Sequence, residues 1–380
     1  MPETMRALLL TAKETLQLGE IPLPTVRPGQ LLVRPRAIGV CGTDFHIYLG
    51  QANYHSDAQG RPIPLEKSPQ ILGHEIEAAV AEAAGEFRAG DRVIVDQGWN
   101  CRSQNRTPVC DYCATGDSHQ CEYYLEQGIT GLPGGLSEYL AVPLCNAIAI
   151  AQPLAPGLGA LAETLACVLH SSRRMEAASA RYAWHGDRPI RSVLICGAGP
   201  TGLLFLQYLR RVLGFQGQVL VAEPNPAKHE LIRRWQGRVL TTSPEAWVAE
   251  VRQLTQGRGV EYLIDCAGYG PLYRDVPGFL CKQGTLLLFG HGHDHASLGL
   301  LNPIQFKEIY IVSSAGASGG WNAQGKPEVY AQALQWLCQG MIEAEPLITH
   351  RYAGLSQVTA AFTTDRFRTD YIKGLMVMEN

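Results

Sequence analysis

Short apolar runs alternate with longer segments of mixed polarity through the middle of the chain. The runs at 192–196, 218–222, 260–265 and 284–290 are largely apolar, as strands covered on both faces are. Segments of helical length separate such runs. Strands that alternate with helices indicate βαβ units, so the pattern predicts an α/β fold with an open parallel sheet. We expect this sheet to belong to a domain that spans 170–315.

A glycine-rich turn links the run at 192–196 to a helical pattern at 203–213. Its glycines, Gly197, Gly199 and Gly202, have the spacing G-x-G-x-x-G. In a dinucleotide-binding unit the first forms the tight turn, the second lets a pyrophosphate approach the backbone, and the third lets the helix pack on the strand. The helix N-terminus then faces the phosphates. The pattern predicts a dinucleotide site, against the alternative of a buried glycine turn that binds nothing.

Glu223 directly follows the apolar run at 218–222. An acidic side chain at the end of this strand, about 20 residues beyond the glycine turn, can accept hydrogen bonds from the ribose hydroxyls of the adenosine half. A carboxylate there would repel a 2′-phosphate, and Pro224, Asn225 and Pro226 follow it with no arginine beside it. We therefore expect NAD rather than NADP as the cofactor.

Four of the 11 cysteines lie within one short segment. Cys110, Cys113 and Cys121 form a C-x2-C-x7-C pattern, and Cys101 lies upstream at a longer spacing. Zinc accepts four thiolates in a closed structural site, and C-x2-C places two of them on one turn. The alternative, two disulfides, needs an oxidising compartment. The first residues show no export signal, so we expect a cytoplasmic protein with a structural zinc, for which Cys101 is the candidate fourth ligand.

Composition limits the classes of partner. The 380 residues carry a formal net charge of -3, and lysine and arginine form no block. Near-neutral charge argues against nucleic acid or an anionic membrane as the main partner, and no apolar run reaches the roughly 20 residues that span a bilayer. A chain of this length suggests roughly two domains, each with its own core. We therefore expect an enzyme that acts on a small molecule.

A second candidate metal site lies in the N-terminal part. Cys41 begins the run Cys-Gly-Thr-Asp-Phe-His, and the run Gly-His-Glu follows at 73–75. Cysteine and histidine from separate loops suit an open zinc site, in which about three protein ligands leave one position for water or substrate. Zinc lowers the pKa of a bound water to about 7, and we expect it to acidify an alcohol in the same way, towards the alkoxide that can give up a hydride.

Four motifs in this order resemble the zinc-dependent medium-chain dehydrogenases/reductases, the family of alcohol and polyol dehydrogenases. They are Cys41-Gly42-Thr43-Asp44, Gly73-His74-Glu75, the cysteine segment and the glycine-rich turn. The resemblance covers nearly the whole chain and implies a GroES-like, β-rich catalytic domain made of 1–169 and 316–380. A Rossmann domain with a doubly wound parallel sheet, 170–315, is inserted between these parts. Relatives usually carry a further cysteine at Thr107, so Cys101 would replace it from a longer loop.

The same resemblance implies the ligands of a catalytic zinc. Cys41 and His74 are two of them, with Glu75 as an occasional exchange ligand. Glu163 matches the third ligand of polyol and sugar dehydrogenases in the family, although a threonine follows it where those relatives usually have proline. Cys167 lies one helical turn further on, but a free cysteine in an apolar helix is more often part of the core. We favour Glu163 over Cys167, and the choice between Glu163 and Glu75 as the direct third ligand stays open.

The resemblance also implies a path for the proton that the alcohol loses. Asp44 orients the ligand histidine without binding the metal itself. Thr43 accepts the substrate proton and passes it through the nicotinamide ribose hydroxyl to His46, which borders solvent. The alternative for His46 is an ordinary surface histidine.

The implied reaction is the reversible, NAD-linked oxidation of a secondary alcohol to a ketone, with two zinc ions per chain. A polyol, sugar or cyclitol is the expected substrate. The alternatives are an amino-alcohol dehydrogenase of the threonine type, an aldose 1-dehydrogenase and, from another class, a non-catalytic dinucleotide-binding sensor or scaffold with structural zinc. The resemblance implies a homo-oligomer, a dimer or a tetramer, with closed symmetry.

Overall fold

The computed structural model describes residues 2–241, 243–291 and 301–378. The chain divides into two compact units. The first unit consists of Met1–Ala166, Ala317–Gly340 and Ala344–Asn380, and the second consists of Cys167–Gly316 and Met341–Glu343. None of the helices in the described ranges is both long and apolar enough to cross a membrane.

The first unit begins with a series of strands. These are β1 (Thr4–Ala12), β2 (Thr15–Pro22), β3 (Gln30–Val40), β4 (Gln70–Ile71), β5 (Glu75–Val80), β6 (Arg92–Val95), β7 (Gly98–Trp99), β8 (Leu125–Glu126), β9 (Leu140–Pro143) and β10 (Ala147–Ala149). The helices α1 (Gly42–Tyr48) and α2 (Asp111–Ala114) lie between them, and α3 (Ala162–Ala177) follows. Leu31, Val33 and Ile76 on β3 and β5 are almost fully buried, because apolar residues on these strands form the core of the unit.

The second unit alternates strands and helices. Its strands are β11 (Ser192–Cys196), β12 (Gln218–Ala222), β13 (Arg238–Val239), β14 (Val260–Asp265), β15 (Leu280–Leu288) and β16 (Tyr310–Ser313). Its helices are α4 (Pro200–Gln207), which continues as a π-helical turn over Tyr208–Val212, α5 (His229–Arg234), α6 (Trp247–Leu254), α7 (Val276–Phe279) and α8 (Leu301–Phe306).

The strands of the second unit form one parallel sheet. In the described residues its order is β13-β12-β11-β14-β15-β16, with every neighbouring pair parallel. This is the strand order of a doubly wound dinucleotide-binding sheet, and it confirms the predicted α/β fold. The predicted strand at 284–290 differs from β15, which begins at Leu280. A register shift in the β14 pairing accompanies Gln283, whose φ of 58° lies in the left-handed region.

The chain then returns to the first unit and completes its main sheet. The elements there are α9 (Glu328–Cys338), β17 (Ile348–Ala353), α10 (Gly354–Gln357), α11 (Thr359–Thr363) and β18 (Lys373–Val377). The described strands of this sheet follow the order β10-β6-β5-β3-β18-β17, and β9 also pairs with β3. Strand β3 therefore lies between β5 and β18, so residues at the ends of these three strands are brought close together.

Candidate active site and structural metal site

The four clustered cysteines place their sulfur atoms close together. Cys121 Sγ lies 3.6 Å from Cys101 Sγ and 3.8 Å from Cys110 Sγ, and Cys113 completes a group whose ligand atoms all lie within 4.8 Å of one another. A disulfide requires about 2.05 Å between sulfurs, so these are free thiols. Four thiolates placed tetrahedrally at about 2.3 Å from zinc would lie about 3.8 Å apart. These residues fit a closed zinc site, and the structure brings Cys101 into the group.

Backbone N–H groups support negative charge on this cysteine cluster. The N–H of Cys110 donates to Cys101 Sγ, and the N–H of Tyr123 donates to Cys121 Sγ, each at a distance of 3.3 Å. Burial opposes the thiolate form of Cys110, but hydrogen bonds from the backbone N–H groups of Cys113 and Glu122 and from neighbouring thiols outweigh it and lower the pKa of this thiol to about 7. Burial, together with the neighbouring cysteine side chains, raises the pKa of Cys113 and Cys121. Because zinc binds thiolates rather than thiols, the backbone N–H donors favour metal binding.

A second group consists of Cys41, His74 and Glu75, whose ligand atoms lie within 4.8 Å of one another. Cys41 follows β3 directly, and Glu75 begins β5. These two strands pair in antiparallel register with Gly39 opposite Glu75. The pairing therefore brings together donors that are far apart in the sequence.

Asp44 ties the two segments of this group together. Its Oδ2 accepts a hydrogen bond from the N–H of Cys41 at 2.9 Å, and its Oδ1 accepts one from the N–H of Gly73 at 3.1 Å. The same Oδ1 lies 3.5 Å from Nδ1 of His74. Burial opposes ionisation of Asp44, but His74 and these N–H donors outweigh it and lower the pKa of the carboxyl group.

The charges around His74 favour a cation at its ring. Burial opposes the charged ring, but Asp44 and Cys41 outweigh it and raise the pKa of His74 well above its usual value. With Nδ1 facing Asp44, the other ring nitrogen, Nε2, is available as a ligand, which is how a carboxylate usually orients a metal-binding histidine. The same negative charges favour a divalent metal in place of the proton.

Glu75 supplies the observation that tests whether a metal fits. Its Oε2 is buried and has no hydrogen-bond partner among the residues that the structure describes. An unsatisfied buried acceptor costs about 1–3 kcal/mol, and a charged one more, so a cation is expected to satisfy it. A Cβ at Gly39 would lie 1.9 Å from this oxygen, so only glycine leaves room for the carboxylate. A sulfur, a nitrogen and an oxygen donor together suit a catalytic zinc.

The other residues with predicted roles lie near this group or on α3. Thr43 Oγ1 is 3.8 Å from Cys41 Sγ, and His46 Nδ1 is 2.8 Å from Gln51 Oε1. Glu163 is buried in the first turn of α3, where its Oε1 accepts a hydrogen bond from Gln97 Nε2 at 3.2 Å. In the described part of the chain, neither metal-binding group includes Glu163.

Lys373 is a buried charged residue that the sequence analysis missed. It begins β18, is 2% exposed, and forms an ion pair with Oε1 of Glu75. Thr164 Oγ1 donates to the same oxygen at 2.9 Å. The available signal was a lysine next to the apolar run Leu-Met-Val at 375–377, since lysine is almost never fully buried unless it is paired.

The glycine-rich turn has the geometry that its motif predicts. Gly197 has a φ of 91°, in the left-handed region, and a Cβ at Gly202 would lie 2.0 Å from the Gly197 carbonyl oxygen. Gly199 precedes α4, and nothing lies within 4 Å of the position where its Cβ would be. A turn of this kind leaves space for a phosphate group at the start of the helix.

Glu223 is held against this turn. Its Oε2 accepts a hydrogen bond from the N–H of Ala198 at 2.8 Å, and its Oε1 accepts one from the N–H of Asn225 at 2.9 Å. The Lys228 amine lies 3.5 Å from Oε2. No cation stands directly after Glu223 in the sequence, and Lys228, which comes five residues later and just before α5, was therefore not predicted as its partner.

A cavity of about 320 Å³ adjoins the turn within the second unit. Its lining includes Gly197, Ala222, Pro224, Trp247 and Tyr269. A mostly apolar pocket with a few polar groups is typical of small-molecule and cofactor sites. Its position beside the carboxyl ends of β11 and β12 is where open α/β sheets bind their ligands.

Two parts of the chain match known protein families. Residues 27–152 match the alcohol dehydrogenase GroES-like domain, and residues 200–339 match the zinc-binding dehydrogenase domain. The L-threonine 3-dehydrogenase of Pyrococcus abyssi (strain GE5 / Orsay) is 28% identical over 91% of this chain and 90% of its own length. The sorbitol dehydrogenase of Arabidopsis thaliana is 26% identical over 98% of this chain and 94% of its own.

A solved structure has the same fold. It is described as a short chain alcohol dehydrogenase, rspB, from E. coli CFT073, complexed with cofactor NADH. The match covers 99% of this chain and 100% of the other, with a TM-score of 0.79 and 23% sequence identity.

Proposed function

This chain belongs to the zinc-dependent medium-chain dehydrogenases/reductases, and we propose that Cys41 and His74 form its catalytic zinc site for the oxidation of a polyol, sugar or cyclitol. As a member of this family it is a zinc-dependent alcohol or polyol dehydrogenase that uses a nicotinamide dinucleotide. The observation that carries the assignment is the group of Cys41, His74 and Glu75, with its buried carboxylate oxygen that has no partner among the described residues.

Zinc held by these residues supplies a Lewis acid that stabilises negative charge on the substrate oxygen. Cys41 supplies a thiolate, and His74 supplies Nε2. Asp44 Oδ1 lies 3.5 Å from Nδ1 of His74 and carries a negative charge that increases the basicity of the ring. The hydrogen bonds that the Asp44 carboxylate accepts from the N–H groups of Cys41 and Gly73 hold both segments in register.

Glu163 is proposed as the third protein ligand, with Glu75 as the exchange ligand. Support comes from the position of Glu163 in the first turn of α3, next to Thr164, whose hydroxyl donates to Glu75. We expect Glu163→Ala to lose the catalytic zinc and Glu75→Ala to retain it with weaker affinity. Zinc analysis of the two variants compares them directly, and the opposite order would assign Glu75 as the ligand.

Thr43 and His46 are proposed to move the proton. The Thr43 hydroxyl, close to the Cys41 sulfur, accepts the proton of the substrate alcohol while it releases its own proton along the relay to His46, which exchanges it with solvent. The contact between His46 and Gln51 supports this role, because it holds the ring in one orientation near the surface.

Gly197, Gly199, Gly202 and Glu223 are proposed to bind NAD. The glycines leave room for the pyrophosphate, and the Glu223 carboxylate accepts hydrogen bonds from the adenosine ribose while it repels a 2′-phosphate. Lys228 offsets part of this charge, since it lies 3.5 Å from the carboxylate. We still expect NAD to be preferred, and the ratio of kcat/KM for NAD and NADP measures the preference.

The substrate class is best tested with a panel. A polyol or sugar fits the glutamate at position 163 and the sorbitol dehydrogenase relative, whereas the L-threonine 3-dehydrogenase relative supports an amino alcohol as the second candidate. Purified protein with full zinc content and NAD should reduce the cofactor with at least one polyol, sugar or cyclitol. Activity on threonine alone would favour the second candidate, and no activity with any alcohol would favour a non-catalytic dinucleotide-binding protein.

The chain is further proposed to form a homo-oligomer with closed symmetry in the cytoplasm. Among the described strands, β16 lies at the edge of its sheet and exposes Tyr310 and Ile311, which suits pairing with a second copy. No disulfide joins any of the 11 cysteines, all of which lie in the described ranges, as is usual in a reducing compartment. Light scattering gives the mass in solution, and a monomer would contradict the first part of this proposal. Cell fractionation tests the second.

The domain boundaries proposed from the sequence are 1–169 with 316–380 for the catalytic domain, and 170–315 for the NAD-binding domain. The compactness of the two units supports them. Limited proteolysis near residue 316 measures whether the chain is cut at this junction before either domain is degraded.

A further inference from the structure

The two carboxylate oxygens of Glu75 have different surroundings. Oε1 accepts the hydroxyl of Thr164 at 2.9 Å and forms an ion pair with the ammonium of Lys373. Oε2 has no hydrogen-bond partner among the described residues. All three side chains are buried, with exposures of 0% for Glu75, 2% for Lys373 and 6% for Thr164. The carboxylate is therefore oriented by two donors that both act on one of its oxygens.

Three separate segments create this arrangement. Glu75 begins β5, Lys373 begins β18, and Thr164 lies in the first turn of α3. Strand β3 holds the first two in place, because it pairs with β5 through Gly39 opposite Glu75 and with β18 through Val40 opposite Gly374. Since a Cβ at Gly39 would lie 1.9 Å from Oε2, the backbone of β3 limits the movement of that oxygen.

The two donors have different roles. The ammonium of Lys373 supplies charge and, with three donor hydrogens on a flexible stem, sets little directional preference. The hydroxyl of Thr164 is on a short β-branched side chain with a restricted rotamer, so it fixes the direction from which Oε1 is approached.

We propose that Thr164 is a positioning residue for Glu75: its hydroxyl, with Lys373, holds Oε1 and so leaves Oε2 as the oxygen that Glu75 offers to the metal bound by Cys41 and His74. This inference rests on the proposed catalytic zinc site. Removal of the hydroxyl leaves Oε1 with Lys373 alone, so the orientation of the carboxylate towards the metal is held less firmly. Partners of this kind typically change metal affinity 10- to 100-fold, so we expect faster loss of the metal by about 10-fold.

The test uses cobalt(II) in place of zinc, because its visible absorption reports the geometry and donors of the site. Wild type, Thr164→Val and Thr164→Ser are compared, and the spectrum of Cys41→Ser is subtracted to remove absorption from the cysteine cluster. Thr363→Val is the matched control, since Thr363 is exposed on α11 and donates only to the Thr359 carbonyl in the contacts described. Release of cobalt to a chelator is timed in each protein.

We expect Thr164→Val to change the Cys41-dependent absorption and to release cobalt about 10-fold faster, as outer partners of metal ligands do. Thr164→Ser, which keeps the hydroxyl, and Thr363→Val should match wild type. Thr164→Ala also removes the hydroxyl but puts no methyl group in its place. It is used instead of Thr164→Val if circular dichroism shows that the valine variant does not fold.

A double variant shows whether Thr164 acts through Glu75. In a Glu75→Gln background, Thr164→Val should have no further effect on the absorption or on cobalt release. An equal effect in both backgrounds, or a Thr164→Val spectrum and release rate identical to those of wild type, would overturn the proposal. If wild type itself shows no Cys41-dependent absorption, the proposed catalytic site is wrong.

Discussion

The two metal-binding groups of the first unit differ in how the chain assembles them. The cysteine cluster takes four identical donors from the single segment 101–121, whereas the second group takes a thiol, an imidazole and a carboxylate from the ends of two paired strands. Four thiolates complete a tetrahedron and leave no position open, whereas Cys41 and His74 with one carboxylate ligand leave one position for a substrate. The comparison indicates a metal that stabilises the fold in the cluster and a metal that meets the substrate in the second group.

The two metal-binding groups also differ in the polar groups that surround them. Backbone N–H groups donate to sulfurs of the cysteine cluster, as in the contact of Tyr123 with Cys121. Charged side chains surround the second group, with Asp44 beside His74 and Lys373 beside Glu75. Backbone N–H groups stabilise the negative charge of thiolates that stay in one position. Charged side chains instead change the position and the basicity of the metal ligands.

The largest effect on stability is expected from the cysteine cluster. Cys121→Ser removes the sulfur that contacts both Cys101 and Cys110. Binding of structural zinc contributes about 10–16 kcal/mol in zinc-finger peptides, so loss of this site should lower the melting temperature strongly or prevent folding. Thermal unfolding measures the effect, with Cys338→Ser as the control, because Cys338 belongs to neither group. Unchanged stability would contradict a structural role.

The second largest effect is expected on activity, with little change in stability. Cys41→Ser removes a ligand of the proposed catalytic zinc, which supplies several kcal/mol of transition-state stabilisation, so kcat should fall by about 10³-fold or more. The melting temperature should change by only a few degrees, because β3 and β5 keep their pairing. Steady-state kinetics and thermal unfolding of one sample separate the two effects. A large loss of stability would mean that the roles of the two groups are reversed.

A smaller effect is expected from Asp44, which contacts the segments that carry the metal ligands but is not itself a ligand. Asp44→Asn keeps the size of the side chain but can accept only one of the two hydrogen bonds from Cys41 and Gly73, and it removes the charge facing His74. Zinc affinity at the second group should fall by about 10- to 100-fold. Competition with a chelator measures it, and Asp370→Asn on the surface is the control. Equal affinity in both variants would remove Asp44 from the site.

The smallest effect is expected on the cofactor. Glu223→Ala should raise KM for NAD by about 10-fold, because a hydrogen bond to a charged group contributes about 1.5–3 kcal/mol and part of this is already shared with Ala198 and Asn225. Zinc content should not change, which separates this residue from both metal groups. Kinetics with NAD and NADP give the comparison, with the exposed Glu230→Ala as the control. An unchanged KM would mean that the carboxylate does not contact the ribose.

The sequence predicts those features that are local. The strands at 192–196 and 218–222, the glycine turn between them and the clustered cysteines depend on neighbouring residues, and the structure has them where the patterns indicate. The start of β15 was missed because its bulge depends on pairing with β14. The contacts of Lys373 and Thr164 with Glu75 were also missed, since they join segments that only the folded sheet brings together.

The zinc content of wild type and Cys41→Ser tests the central claim most directly. The account predicts two zinc ions per folded chain in wild type and one in Cys41→Ser, with the remaining ion retained by the cysteine cluster. A single zinc in wild type, or two in folded Cys41→Ser, would contradict the division between a structural and a catalytic site.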